Sequence, residues 1–250
     1  METATHIQHL RHEGRRLATV AARVHLDDPV PACPGWTVRA AVRHVGRVHR
    51  WARSHLAEHR ETRADVRATA GPMPADGDLV AWFEAGLEEL LDTLESTTPG
   101  DRAWHFGPAP SPLAFWARRQ ALETAVHRTD VESASGPVTP LDAALAADGI
   151  DETFDVFVLP RDGLRSPTPV SLRLHAGDAA RDWLVHVDAE RVSLRREPGA
   201  AGCTVSGSAS DLYLLLWNRT CQDAVEVDGD RAVLDLWRSV VQVRMSGDLE

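Results

Sequence analysis

A glutamate and a histidine lie four residues apart in the segment from Arg118 to Asp130. The flanking residues follow a helical pattern, so both side chains should leave the same face, with Cβ atoms about 5–6 Å apart. Glu123 and His127 can therefore share one divalent metal ion. A third ligand is available in His44, in the helical stretch that follows a Pro-Gly-Trp loop. Three protein ligands leave coordination positions open, as a catalytic metal site needs and a structural site does not.

The surroundings of these residues favour a metal site over a simple ion pair. Taken alone, a Glu–His pair at this spacing is more often found on a protein surface. Here, however, His44 lies between two valines of a helix that otherwise carries apolar residues, and Glu123 lies between Leu122 and Ala125. Charged groups in apolar surroundings are rarely buried without partners. A shared metal ion would provide a partner for all three side chains.

The elements that must position these residues are predicted to be helices. Apolar residues recur at helical spacing through the first 160 residues, and Thr37, Asp78 and Ser111-Pro112 are typical helix starts. Four or five such helices joined by short to medium links suggest an antiparallel bundle. The predicted helices cover residues 3–27, 37–59, 78–96, 111–134 and 139–157, and the segments 61–77 and 97–110 are predicted loops.

The pattern changes after Pro160, where a Pro- and Gly-containing linker precedes short alternating runs. Such runs, separated by turns with Gly and Asp, are typical of strands. We therefore predict a helical domain over residues 1–160 and a small α+β domain over 161–250. The predicted strands are 170–175, 183–187, 192–195 and 203–205, and the predicted helices are 210–218 and 230–241.

Composition excludes several classes of protein. The chain has 250 residues and a net charge of −10, and all 27 of its basic residues are arginine. An acidic chain without a basic stripe argues against nucleic acid as a partner. No apolar run approaches the length of a membrane span, and we find no signal peptide. Cys33, Cys203 and Cys221 form no C-x-x-C pair, which fits a reducing compartment. We expect a cytoplasmic protein.

Three segments resemble the mycothiol-dependent maleylpyruvate isomerase family. Pro31-Ala-Cys-Pro-Gly-Trp-Thr-Val-Arg39, followed by Val42-Arg-His-Val-Gly46, is similar to the N-terminal signature of that family. Leu122-Glu-Thr-Ala-Val-His-Arg-Thr-Asp130 matches its E-x-x-x-H-R-x-D stretch, and Val205–Arg219 with Val227–Asp230 resembles its C-terminal domain. The resemblance implies a DinB-like four-helix bundle followed by a domain similar to sterol-carrier folds.

Applied to the matching residues of this sequence, the resemblance implies that His44, Glu123 and His127 bind the metal. Zinc is the simplest candidate, although iron or nickel also suits these ligands. Arg219 matches an arginine that is thought to reach into the site of the family, and we expect it to clamp a substrate carboxylate or, alternatively, to cap its helix. Asp130 would orient a metal ligand or pair with Arg128. A plain interaction with a nearby residue is an equal alternative for Asp130.

The resemblance also implies the reaction. Mycothiol is a small cysteine-bearing thiol, and a metal cation favours its thiolate form. With an unsaturated acid, addition of the thiolate, rotation and elimination would give cis–trans isomerisation. With an electrophile that has a leaving group, the same thiolate would give a thioether, so a mycothiol S-transferase is an alternative. A non-enzymatic protein that binds a metal or an apolar ligand is another, and the sequence does not indicate the substrate or the oligomeric state.

Four further residues have less demanding explanations. We expect Cys33 to serve the turn rather than catalysis, and Trp36 to anchor the loop by packing rather than to hold substrate. His49 lies five residues after His44, about 140° around the helix, so it should not bind the same metal. A solvated face is the expected place for His49, with contact to mycothiol as the alternative. His105 could flank the pocket from its loop.

Overall fold

The computed structural model describes residues 1–161, 163–220 and 222–240. These residues fold into two compact units, which meet in the sequence between Thr139 and Pro140. The sequence-based boundary at residue 160 lies one helix later. The difference is the helix that begins after Asp142, which packs against a helix of the second unit. Cys221 and the predicted end of the last helix at Val241 lie outside the described residues.

Helices form the first unit, and side chains at their N-termini explain where three of them begin. The hydroxyl of Thr37 accepts a hydrogen bond from the Ala40 N–H, and that of Ser111 accepts one from the Ala114 N–H. Asp65 caps a short helix in the same way, inside the segment predicted as a loop. The helices are α1 (Thr3–Ala21), α2 (Val38–Ala57), α3 (Val66–Ala70), α4 (Leu79–Ser96) and α5 (Pro112–Ser133).

The four long helices form a bundle in which α1 contacts α4 and α5, and α2 contacts the same two helices. The side-chain pairs between helices give their directions. Glu13 and Arg16 of α1 bond to Arg128 and Glu132 of α5, so these two helices run parallel. Contacts of His44 and His55 in α2 with residues 123 and 116 of α5 show an antiparallel pair.

The prediction of an antiparallel bundle is therefore only partly correct. The α2–α4 pair is also parallel, since Arg50 contacts Trp82 and Arg53 contacts Glu89. A parallel neighbour needs a chain segment that returns along the bundle. The connection between Ala57 and Leu79, which contains α3, provides that return.

Buried charges attach α5 to α1 along one side of the bundle. The Arg128 side chain is 1% exposed and donates to Glu13 and Glu132, both at 2.7 Å. It also donates to the carbonyl of Thr139 at 2.5 Å. Arg16 donates to the other oxygen of Glu132 at 2.6 Å. Each of these glutamates is hydrogen-bonded to an arginine of the other helix. The network therefore fixes the position of α5, which carries two of the candidate ligands.

The elements of the second unit are α6 (Ala143–Glu152, continued by a π-helical turn Thr153–Val158), β1 (Val170–Ala176), β2 (Arg181–Val187), β3 (Val192–Arg195), β4 (Cys203–Gly207), α7 (Ala209–Leu216), β5 (Glu226–Gly229) and α8 (Ala232–Val240). Its five strands form a mixed sheet in the order β3-β2-β1-β4-β5. Only the β1–β4 pair is parallel among these neighbours. Helix α7 contacts β1 and β4, and α8 contacts β1.

The sheet follows the alternation seen in the sequence. Leu172 and Leu174 of β1 and Val205 of β4 are buried, and so are Leu212 and Leu215 of α7, the helix that contacts both strands. The fold class predicted from the sequence, a helical domain followed by a small α+β domain, is confirmed. Within the described residues, no helix combines the length and apolar character needed to cross a membrane.

Candidate metal centre

The three predicted ligands meet between α2 and α5. The Nε2 atom of His44 lies 2.9 Å from Oε1 of Glu123, and the Nε2 atom of His127 lies 3.3 Å from the same oxygen. One ligand atom from each residue lies within 4.8 Å of the other two. Two imidazole nitrogens and a carboxylate oxygen that converge in this way form a donor set that suits zinc and other divalent metals.

The trio is buried but not sealed. His44 and His127 are about as buried as core residues, while the Glu123 side chain keeps 20% of its exposure. Glu123 is therefore the most exposed of the three candidate ligands.

The charges at the site are distributed unevenly. Burial would raise the pKa of Glu123, but Arg119 and the two histidines outweigh it and hold that pKa well below its usual range. Burial lowers the pKa of His44 in spite of its hydrogen bond to Glu123. Burial also opposes the charged form of His127, yet the carboxylates of Asp130 and Glu123 raise its pKa to about 9. Without a metal, His127 thus holds the proton and His44 is neutral.

Two charged residues hold the ligands in place. Asp130 lies 2.8 Å from Nδ1 of His127, which leaves Nε2 of that ring for the shared centre. A carboxylate on the far nitrogen of a metal-binding histidine fixes the tautomer and the ring orientation. Arg119 donates to Oε2 of Glu123 at 2.5 Å, while Oε1 faces the histidines. Sequence reasoning missed Arg119, although its position four residues before Glu123 is a recognisable signal.

The loop before α2 covers the histidines. The Trp36 ring stacks on His127 at a centroid distance of 5.5 Å and an angle of 6°, and it meets His44 edge-on at 5.2 Å. Cys33 is buried, and its Sγ lies 3.5 Å from Oδ2 of Asp130. Trp36 is thus a packing anchor, as expected, and its packing partners are the candidate ligands themselves.

The other histidines lie away from the centre. His49 is fully buried and bonds to Thr124 at 2.8 Å, so the prediction of a solvated face was wrong. Burial lowers its pKa to about 3, which keeps the ring neutral. His49 therefore contacts α5 beside Glu123, and it is not one of the three residues whose donor atoms converge. His105 lies in the loop before α5, where it stacks on Phe115.

Arg219 belongs to the second unit, just after α7. Its backbone N–H bonds to the carbonyl of Leu214, and its Nη1 donates to the carbonyl of Trp217 at 2.8 Å. These bonds close the C-terminal end of the helix, which is the capping role considered from the sequence. Contact with a substrate stays a prediction.

Comparison with known proteins gives matches to one family over most of the chain. Residues 7–132 match the family model described as the mycothiol maleylpyruvate isomerase N-terminal domain, and residues 144–236 match the model of the C-terminal domain of the same family. Two crystal structures of mycothiol-dependent maleylpyruvate isomerase, one of them a variant, align with TM-scores of 0.60 and 0.64. Each is 13% identical and covers 91% of this chain and 93% of its own. No protein with a curated function matches the sequence.

Proposed function

The chain belongs to the mycothiol maleylpyruvate isomerase family, and on that basis we propose that it is a metal- and mycothiol-dependent enzyme. His44, Glu123 and His127 would hold one divalent cation, most simply zinc. The reaction would be cis–trans isomerisation of an unsaturated acid by addition and elimination of the thiol. A cytoplasmic location would suit a protein that depends on a reduced thiol.

One observation carries this proposal: the donor atoms of three residues from two helices lie within 4.8 Å of one another. Structural zinc sites have four protein ligands, whereas catalytic sites have three and keep a position open. The loop before α2 contains one thiol, that of Cys33, but its Sγ is directed at Asp130. We propose that a thiol from outside the chain reaches the centre beside Glu123, the most exposed of the three ligands.

The residues of the chain prepare this site in two ways. Arg119 keeps Glu123 ionised and holds one of its oxygens, so that the carboxylate presents the other oxygen in a fixed direction. Asp130 fixes the ring of His127, whose proton must leave when a metal binds. When bound, a divalent cation deprotonates a coordinated thiol, so the nucleophile would come from mycothiol.

Arg219 is the residue that we propose to clamp a substrate carboxylate, because its planar group offers two parallel donors. A hydrogen bond to a charged group contributes substantially to the free energy of binding. Loss of the clamp in Arg219→Ala should therefore lower kcat/KM about 10- to 100-fold. The metal content should not change. Arg195→Ala is the matched control, since Arg195 is exposed in the same unit and pairs with Glu197. Unchanged turnover in Arg219→Ala would leave only the capping role.

The enzyme assay separates the remaining possibilities. The purified, metal-loaded protein is incubated with mycothiol and maleylpyruvate, and separately with mycothiol and monochlorobimane. Turnover of maleylpyruvate supports the isomerase, and thioether formation alone supports the S-transferase alternative. If neither reaction occurs, the enzymatic proposal fails and a metal- or ligand-binding protein remains.

A pair of variants tests the ligand assignment in the same assay. His44→Ala should lose both the metal and turnover. His49→Ala removes a buried histidine from the same helix and should keep both, since His49 bonds to Thr124. Retention of the metal by His44→Ala would contradict the assignment.

A further inference from the structure

Gln120 of α5 is a buried amide whose hydrogen-bonding capacity is unused. Its side chain is 0% exposed. Among the described residues, none forms a hydrogen bond with its amide oxygen or with its amide nitrogen. A glutamine amide can donate two hydrogen bonds and accept two, and buried polar groups are almost always paired. Gln120 therefore departs from the rule on both of its polar atoms at once.

The position of Gln120 relates it to the metal centre. Glu123 lies three residues further along α5 and His127 seven residues further, so all three share one face of the helix. The rise of a helix places Gln120 about 4.5 Å along the axis from Glu123. On the other side, one turn earlier, is Trp116, which belongs to an aromatic cluster with Trp51. Gln120 thus lies between the metal centre and an apolar wall.

The neighbouring polar residues of α5 do not share this feature. Arg119 bonds to Glu123, and Thr124 bonds to His49. A leucine or methionine of similar size at position 120 would pack without leaving polar atoms unpaired. The amide is thus costly for packing alone, and a group from outside the chain is the partner that would make it useful.

We infer that Gln120 binds the amide group that flanks the sulfur of a cysteine-derived thiol. This inference rests on the proposed metal-bound thiol. The N–H and C=O of a trans amide point in opposite directions, so Gln120 would contact one of them: its amide oxygen would accept the N–H of an acylated cysteine. This hydrogen bond gives preference for acylated cysteine thiols over simple thiols, which the metal alone does not provide.

A matched pair of small thiols tests the inference. N-acetylcysteine and 3-mercaptopropionate both have a thiol and a carboxylate, and they differ in the acetamido group. Each is titrated into the cobalt-substituted protein, and the sulfur-to-cobalt charge-transfer band gives the dissociation constant. Gln120→Leu and Gln120→Met should each lower the affinity ratio of the two thiols about three- to tenfold. The affinity ratio of the two thiols is compared between the wild-type protein and each variant. The difference in acidity between the thiols is the same in both and cancels.

Three controls make the result specific. The affinity for 3-mercaptopropionate should stay within about twofold in both variants, and thermal unfolding should not occur earlier, because an unpaired buried amide is removed. Gln8→Leu, at an exposed position of α1, should leave the affinity for both thiols unchanged.

Other outcomes would overturn the inference. An unchanged ratio would show that Gln120 makes no contact with the amide, and an equal loss for both thiols with earlier unfolding would show a structural role. Failure of both thiols to bind the wild-type protein would instead reject the proposed function.

Discussion

Metal binding should become tighter with pH because one proton must leave the site. In the metal-free protein the carboxylates of Asp130 and Glu123 raise the pKa of His127 to about 9. His44 is neutral because burial lowers its pKa, and Glu123 is ionised because its pKa lies well below the usual range. Of the three ligands, only His127 carries a proton that a metal must displace near neutral pH.

The magnitude follows from that single proton. Below the pKa of His127, the apparent association constant for a metal should rise about tenfold for each pH unit. Two units separate pH 7 from the pKa, so the affinity should rise about 100-fold before it levels off. The stability of the metal-free fold changes in the opposite direction: the paired, protonated His127 stabilises it fully below the ordinary histidine pKa of 6.5, and that contribution is lost as the pH rises through about 9.

Competition with a chromophoric zinc chelator measures this dependence. The logarithm of the affinity, corrected for protonation of the chelator, is plotted between about pH 6 and about pH 8, where the slope should be one. His49→Ala should give the same slope, since His49 is neutral in this range. A slope of zero would mean that His127 is already neutral, and a slope of two would mean that His44 is protonated as well. Either result would refute the reasoning.

Two further substitutions test the residues that hold the ligands. Asp130→Asn should weaken the limiting affinity for zinc at high pH about 10- to 100-fold, because the ring of His127 loses its orientation; a loss below about twofold would contradict this. Arg128→Met should lower the free energy of unfolding by about 3–5 kcal/mol in urea titrations, because Glu13 and Glu132 become buried charges without that partner. A loss under about 1 kcal/mol would show that the network does not support α5.

Local signals in the sequence predicted most of the fold. Thr37 and Ser111 begin their helices as expected, because capping depends on residues close in the chain. The first helix was predicted to reach residue 27, but α1 ends at Ala21. The following residues bond to the start of α2, where the Arg39 N–H donates to the carbonyl of Leu26. A periodic pattern cannot reveal such a long-range partner.

Strand β5 was missed for a similar reason. Its residues Glu226–Gly229 include two acidic residues and a glycine, which have low strand propensity. Pairing with β4 supplies the hydrogen bonds that make this segment a strand. Local composition therefore gave no signal for it.

The candidate site shows the same division. The Glu123–His127 pair follows from helical spacing. His44 was proposed from its place among the apolar residues of a helix, and the resemblance to a family implied the same residue. The burial of Gln120 and the stacking of Trp36 on His127 depend on how α2, α5 and the loop pack together. These tertiary features were not readable from the sequence, and the burial of Gln120 carries the new inference.

The central claim is that three side chains hold one metal ion with room for a thiol. Cobalt substitution followed by titration with mycothiol tests both parts in one spectrum. We predict one cobalt ion per chain and a sulfur-to-cobalt charge-transfer band that grows with mycothiol, both absent in His44→Ala. A protein that binds no cobalt, or binds it without any such band on addition of mycothiol, would contradict the account.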